Sequence, residues 1–579
     1  MTSGEVISQI LKKQGVRFIF TLCGGHISPI LVGCKQQGIR VIDVRQEATA
    51  VFAADAISRL TGIPGVAVVT AGPGVTNTIT AIKNAQMANS PVILLGGAVA
   101  TILKGKGSLQ DIEQIQLFKT LTKWAVAIEQ DCDIVSILEE AFNVAKSGIP
   151  GPVFVECPID LLYDEKLVRK WYGLESEGSK PKSITGKVIN WYLHRHVDKL
   201  FACSEEEVKI SEDKKIIPFS IDPKKVHETL SHLNSAQAPV LIIGSQAMLR
   251  VEQVDELASA VEKLRLPVYL TGMARGLMGD NYALQMRHKR RKALREADLV
   301  LLAGMPCDFR LDYGRAINRK ATLISINRSR EDLKKNRKPT LGIQADPSAF
   351  LITLSNEVNY DKNSWSEWVR KLDQWQEDRE KEIQSFSEIK TEYINPLQLC
   401  EEINNVLAPN SIIVGDGGDF VATASYIVRP KKPLKWLDPG PFGTLGVGAG
   451  FALAAKLVHP DAEVWVLYGD GAAGYSIVEF DTFVRHSVPV IAVIGNDAGW
   501  TQITRDQLEY LKDDVGTVLT YNDYHVVAKG YGAKGLLAKN PEEIKNALEN
   551  AKKLANNGQP VLINALIGKT DFRKGSISM

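Results

Sequence analysis

VWVLYGDGAAGYS runs from Val464 to Ser476, and VIAVIGNDAGW runs from Val490 to Trp500. Each stretch is a continuous apolar run that breaks into small polar residues, the pattern of a strand buried on both faces of a parallel sheet. Gly469-Asp470-Gly471 closes the first run and Asn496-Asp497 the second, with twenty-four residues between Gly471 and Asn496. The ends of neighbouring parallel strands can offer a carboxylate and an amide oxygen to one hard cation, while glycines let backbone N–H groups approach phosphate oxygens. The spacing therefore predicts a divalent cation on Asp470 and Asn496, with Gly469 and Gly471 beside a diphosphate.

Two other readings compete for the same residues. Gly469-Asp470-Gly471-Ala472-Ala473-Gly474 also satisfies G-x-G-x-x-G after a strand, and Asp497 stands where a ribose-binding acid would. An ionised Asp470 would then face a pyrophosphate with like charge unless a divalent ion lay between them, which favours the metal reading. A glycine-rich turn with a capping Asp is the plain alternative.

The 579 residues exceed what one hydrophobic core organises and predict roughly three to four domains. Hydrophobic content of 45% and a formal charge of +2 describe a globular protein without the basic footprint of a nucleic-acid binder. The run Arg287-His288-Lys289-Arg290-Arg291-Lys292 reads first as a solvated helix face and second as help for an anionic ligand. Seven cysteines, an odd number without a C-x-x-C pair, argue against a disulfide framework and for a reducing compartment. No apolar run reaches the eighteen or more residues of a membrane span, and residues 1–5 show no secretory pattern, so the chain as it stands is expected in the cytoplasm.

Alternation of apolar runs with helical patterns predicts an α/β fold of three consecutive parallel-sheet α/β domains at residues 1–168, 218–355 and 394–567. A polar linker over 169–217 contains Glu175-Ser176-Glu177-Gly178-Ser179-Lys180-Pro181 and one amphipathic piece near Trp191, expected to pack. Trp365, Trp368 and Trp375 stand at helical spacings in a connecting helix over 356–393, with the tryptophans inward. Residues 568–579 read as a tail or lid.

Asp43-Val44-Arg45-Gln46-Glu47-Ala48-Thr49-Ala50, Thr70-Ala71-Gly72-Pro73-Gly74-Val75-Thr76-Asn77 and Gly443-Thr444-Leu445-Gly446 join the Asp470 motif in an order that resembles the thiamine diphosphate enzymes of the acetolactate synthase and oxalyl-CoA decarboxylase group. The resemblance covers nearly the whole chain and makes the three domains pyrimidine-binding, central nucleotide-binding-like and diphosphate-binding. It implies thiamine diphosphate and Mg²⁺, with Asp470, Asn496 and the Ala498 carbonyl on the metal. It also implies cofactor contacts from Pro73, Asn77, Gly418, Asp419, Thr444, Leu445, Gly469, Gly471, Ala472 and Trp500. Leu445 stands where many relatives have Met, under the bend of the cofactor, and Asp497 replaces the second Asn of the family pair.

Glu47 ends a β run and opens an apolar helix, so partial burial is expected, and burial disfavours an ionised carboxyl. The resemblance gives it the hydrogen bond to N1′ of the aminopyrimidine; a capping Glu at a helix start is the plain alternative. His26 titrates in the useful range and is the candidate acid/base, and Gln110 the candidate partner of a reacting carbonyl or hydroxyl.

Segments such as Gly24-Gly25-His26-Ile27-Ser28-Pro29 and Trp436-Leu437-Asp438-Pro439-Gly440 resemble the acetolactate synthase-like 2-hydroxyacyl-CoA lyases of eukaryotes, which carry an N-terminal membrane segment on the endoplasmic reticulum. The implied reaction is cleavage of a 2-hydroxyacyl-CoA to formyl-CoA and a shortened aldehyde through a thiamine ylide. An acetolactate synthase using FAD and a non-catalytic relative are the alternatives. ADP or FAD is expected in the central domain, where Arg275 and Arg310 are candidates for a nucleotide's phosphates. A homodimer or homotetramer with the site at the subunit interface is expected, no nucleic acid, and endoplasmic reticulum membrane instead of cytoplasm if an anchor has been removed.

Overall fold

A computed structural model describes residues 2–174, 183–203, 219–358 and 365–575. Two compact units form, one from residues 1–58 and 63–217, the other from 59–62 and 218–579. The first unit holds a six-stranded sheet of β1 (Phe18–Leu22), β2 (Arg40–Asp43), β3 (Gly65–Val69), β4 (Val92–Ala98), β5 (Trp124–Ala127) and β6 (Val153–Pro158), in the order β2-β1-β3-β4-β6-β5. The second unit holds two sheets. One contains β7 (Pro239–Ile243), β8 (Val268–Leu270), β9 (Gln285–Met286), β10 (Leu299–Ala303), β11 (Thr322–Asn327) and β12 (Leu341–Gln344), ordered β12-β11-β10-β7-β8-β9. The other contains β13 (Ile412–Gly415), β14 (Trp436–Leu437), β15 (Val464–Gly469), β16 (Ile491–Asn496), β17 (Lys534–Ala538) and β18 (Val561–Leu566), ordered β14-β13-β15-β16-β18-β17.

All three sheets are parallel throughout, and their central strands are buried along their whole length, which is why they read as unbroken apolar runs. The first and third sheets share one strand order, so each reverses direction between its second and third positions. The middle sheet has the dinucleotide-fold order, 3-2-1-4-5-6 when numbered from its own first strand. Loops at the carboxyl ends of strands flanking such a reversal bound an open crevice, the place where open α/β sheets take ligands.

The edge strands β5, β9, β14 and β17 are additions to the sequence reading. β9 and β14 have two residues each, and β5 and β17 are only partly buried, so none carries the continuous apolar signal. The charged run 175–182 lies outside the described residues. Its flank is no simple linker: Glu165–Trp171 and Ile184–Leu200 are helices, the latter burying Val197 and Leu200 while Trp191 faces outward, not into the packing. The predicted tryptophan face does pack inward. Trp365 and Trp368 donate their indole N–H groups to the carbonyls of Ala236 (2.9 Å) and Pro239 (3.0 Å), where β7 begins.

Two expectations are corrected. Cys132 and Cys203 form a disulfide that ties the end of helix Ile184–Leu200 to the start of helix Asp133–Lys146, against the disulfide-free reading drawn from the odd cysteine count. Cys34, Cys157, Cys307 and Cys400 are free and buried, and Cys23 is free and exposed, so one pair is hidden among seven. The tail is anchored as far as it is described, because Asp571–Arg573 forms a 3-10 turn that buries Phe572.

Candidate active site

β13 runs into Asp416-Gly417-Gly418-Asp419, and β15 ends at Gly469-Asp470, on the two sides of the third sheet's reversal. The backbones there approach too closely for side chains. A Cβ on Gly418, whose φ is +111°, would lie 3.0 Å from the Gly469 Cα, and one on Gly469 would lie 2.9 Å from the Gly417 carbonyl oxygen. Gly417 is a glycine because Leu445 crosses it: a Cβ there would stand 2.1 Å from Leu445 Cδ2.

The Leu445 loop is fixed by a residue outside the recognised motifs. Asp416 is buried and accepts from the N–H groups of Gly446 and Gly448, each at 2.8 Å, and burial pushes its carboxyl up to about 7. Asp419 opens helix Asp419–Ile427 and is held by two arginines, accepting from Arg505 at 2.9 Å and standing 3.6 Å from Arg573 Nε. Helix Thr501–Leu511 and the C-terminal turn are thereby pinned to the start of that helix. The Thr444 hydroxyl bonds within its own loop, to the Leu445 carbonyl.

Asp470 sits at the first turn of helix Asp470–Ser476 and accepts from Gly471 N–H (2.8 Å) and Gly499 N–H (3.1 Å). Burial first, and the charge of Asp497 second, push its carboxyl up to about 7; burial pushes Asp497 up to about 6. Both carboxylates line one cavity of about 690 Å³ with Gly417, Gly418, Asp419, Leu445, Gly469, Gly471, Ala472, Gly499 and Trp500. Two buried carboxylates that resist ionising beside each other are the donor set a divalent cation relieves. Glycine backbone at the reversal leaves room for a diphosphate. The Trp500 ring covers Gly471 so closely that a Cβ there would meet it at 2.5 Å.

Asn496 is not brought into this cavity. Its buried amide donates to the Asn522 carbonyl (3.3 Å) and to Asn564 Oδ1 (3.2 Å), and the Ala498 carbonyl accepts from Leu519 N–H at 2.9 Å. Asp497 and Gly499, not Asn496 and Ala498, line the cavity beside Asp470. Gly499 lies opposite Val518 in an isolated antiparallel bridge whose hydrogen bonds are made by its neighbours, Ala498 and Trp500. In such a bridge the N–H and C=O of the central residue point away from the partner strand, here to the Asp470 side.

In the first unit, Glu47 is buried at the start of helix Glu47–Thr61 and accepts from Asn77 Nδ2 at 3.0 Å through Oε2. Its Oε1 lies 3.6 Å from where a Gly74 Cβ would be, in the Thr70–Asn77 turn that contains the exposed Pro73. His26 is half-buried, its Nδ1 3.2 Å from Thr70 Oγ1, and burial lowers its proton affinity. Gln110 has a left-handed backbone (φ +67°) and packs against Gly72. Gln114, buried and unremarked in the sequence, accepts from Gly72 N–H and donates to Glu156 and the Gly97 carbonyl, holding the turn to β4 and β6.

A second cavity of about 1010 Å³ shares Arg275, Arg290, Phe309, Arg310 and Ser425 with the first. Arg287, Arg290, Arg291, Arg310, Arg379 and Arg429 line it, so part of the basic run turns inward and is no plain solvated face. Burial, and then the charge of Arg429, pull Arg287 down to about 10; burial and then Arg275 pull Arg290 down. Clustered cations that hold their protons less readily favour an anionic guest. Arg275 itself stacks over Trp436 and donates to the Ser425 carbonyl.

The chain belongs to the thiamine pyrophosphate enzyme family: residues 1–117 match its N-terminal TPP binding domain, 226–354 its central domain and 416–565 its C-terminal TPP binding domain. Its relatives include "2-hydroxyacyl-CoA lyase 2" of Danio rerio, 49% identical over all of this chain and 93% of the relative, and of Homo sapiens, 48% identical over all of this chain and 92% of the relative. The acetolactate synthase large subunit of Mycobacterium tuberculosis is 32% identical over 98% of this chain and 96% of its own.

Proposed function

We propose that this chain is a thiamine diphosphate-dependent carbon–carbon lyase that splits a 2-hydroxyacyl-CoA into formyl-CoA and an aldehyde one carbon shorter. The observation that carries the reading is full-length similarity, at 48% and 49% identity, to proteins named for that activity. The arginine-lined cavity that opens into the carboxylate cavity supports it, since a CoA thioester has a phosphorylated head on one side of its reacting carbonyl.

When bound, thiamine diphosphate supplies an electron sink for the pair released from the C1–C2 bond. The protein's share is binding, orientation and proton handling. Asp470, Asp497 and the Gly499 carbonyl would hold Mg²⁺, and the glycines at the β13 and β15 ends would admit the diphosphate. Leu445 would brace the cofactor's bend from below. Glu47, oriented through Oε2 by Asn77, would present Oε1 to the aminopyrimidine nitrogen. His26, with Nδ1 on Thr70, has Nε2 available to take the 2-hydroxyl proton as the aldehyde carbonyl forms. Gln110 would hydrogen-bond the thioester carbonyl.

The arginine cavity would take the diphosphate of CoA or of a free adenine nucleotide, with Arg275 and Arg310 at the junction. Glu47 lies in the first unit and Asp470 in the second, and we assign them to one site across two copies in a homo-oligomer. No described helix is long and apolar enough to cross a membrane.

Mass analysis of products after incubation with thiamine diphosphate, Mg²⁺ and either a long-chain 2-hydroxyacyl-CoA or pyruvate tests the reading. Formyl-CoA with the shortened aldehyde is expected. Acetolactate from pyruvate alone would replace it with the synthase reaction, and no product from either would favour a non-catalytic relative.

A further inference from the structure

Helix Ile184–Leu200 in the first unit is capped by Ser183 and buries only Val197 and Leu200, near the Cys132–Cys203 bond. Its outer side is unusual for a protein surface. Ile184 is 83% exposed and Trp191 59%, and Val188, Ile189 and Tyr192 are exposed as well. Ile184, Val188, Trp191 and Arg195 stand at i, i+4, i+7 and i+11, one face of a helix. An apolar stripe of this length should be covered by something.

The charges around the stripe say by what. Lys187, Arg195 and Lys199 are all exposed on the same helix, and Arg195 lies over the Trp191 ring at 5.6 Å. Asp198 is the helix's one acid, and it is paired with Arg169 at 2.6 Å, which also binds Glu165. Among the described residues the surface is therefore apolar and aromatic with a basic rim, and the acids beside it, Asp198 and Glu165, are engaged by Arg169. A second copy placed face to face would set like charges against each other. An anionic bilayer surface complements both properties, because Trp and Tyr favour the headgroup level and Lys and Arg the phosphates.

We infer that helix Ile184–Leu200 lies in the plane of an anionic lipid surface and holds the protein there without crossing it. None of Ile184, Lys187, Val188, Trp191, Arg195 or Lys199 is among the residues assigned to the thiamine site, so lipid binding and lyase activity are read separately. Docking here would bring the enzyme to the phase in which long acyl chains accumulate.

The test is co-sedimentation of the full chain with vesicles of phosphatidylcholine alone or mixed with phosphatidylserine. Two triple variants accompany it, Ile184→Ser/Val188→Ser/Trp191→Ser and Lys187→Glu/Arg195→Glu/Lys199→Glu. The substituted side chains are exposed, so each variant's melting temperature should match the parent's. The parent is expected to sediment with the mixed vesicles, less so at high salt, and each variant to partition about tenfold or more weakly. Failure of the parent to bind the mixed vesicles overturns the inference, as does binding unchanged in both variants. A drop in the variants' oligomeric mass with unaltered vesicle binding would give the face to a second copy and overturn it too.

Discussion

Asp470 and Asp497 stand just beyond the paired ends of adjacent strands, where Gly469 of β15 lies beside Gly495 of β16, and the charge of one helps hold the other protonated. Burial makes both carboxylates harder to ionise, a cost that a divalent cation between them would offset. Replacing Asp497 by Ala should abolish Mg²⁺-dependent cofactor retention. Replacing Asn496 by Ala should instead weaken the fold, since its amide bridges to Asn522 and Asn564, and cost about 1–3 kcal/mol. Quenching of Trp500 fluorescence by added thiamine diphosphate, with and without Mg²⁺, separates the two outcomes.

Asp416 gives the fold a pH dependence of definite sign. Its carboxyl moves from 3.8 to about 7 on folding, so the folded state binds the extra proton between those values. The stabilisation is fully present below about pH 4 and is lost as pH rises through 7, a change on the order of 4 kcal/mol. Denaturant titrations from pH 5 to 8 should show stability falling more steeply in the parent than in Asp416→Asn.

Gly417 and Leu445 are complementary in shape. Gly417→Ala should displace Leu445 and cut turnover at least about tenfold, because a misplaced wedge misaligns the reacting groups. Adding Leu445→Ala should relieve the clash and recover part of the stability lost, giving a coupling of about 0.5–3 kcal/mol in a double-mutant cycle read by thermal unfolding.

The Cys132–Cys203 bond closes a span of 71 residues and should stabilise the first unit by about 2–4 kcal/mol. Reductant or Cys203→Ser should lower its unfolding temperature, and the reductant should have no further effect on the variant. Equal melting with and without reductant would mean that the thiols are not joined.

What was legible in the sequence followed from burial. Val464–Gly469 and Ile491–Asn496 could be read because both faces of each strand are covered, and Gly-Asp-Gly marks a backbone that must come close to another. Asn496 and Asp497 are both good oxygen donors, and only the turn after β16 decides which one lines the crevice, here Asp497. Asp416 had a signal, the run Asp416-Gly417-Gly418-Asp419 after an apolar strand, in which Asp419 is paired with Arg505. Cys132 pairs with Cys203 across a span that no local spacing rule detects. The arginine cavity gathers residues from Tyr269 to Gly575, so charge runs showed only one of its walls.

Glu47, buried and oriented by Asn77, is the residue on which the proposed proton chemistry depends. The most direct measurement is the rate of aldehyde release from a 2-hydroxyacyl-CoA by the parent and by Glu47→Gln, with bound thiamine diphosphate quantified in both. Equal cofactor content and at least about a hundredfold slower release are expected in the variant, the scale of a lost proton-transfer group. Equal rates at equal occupancy would contradict that role for Glu47.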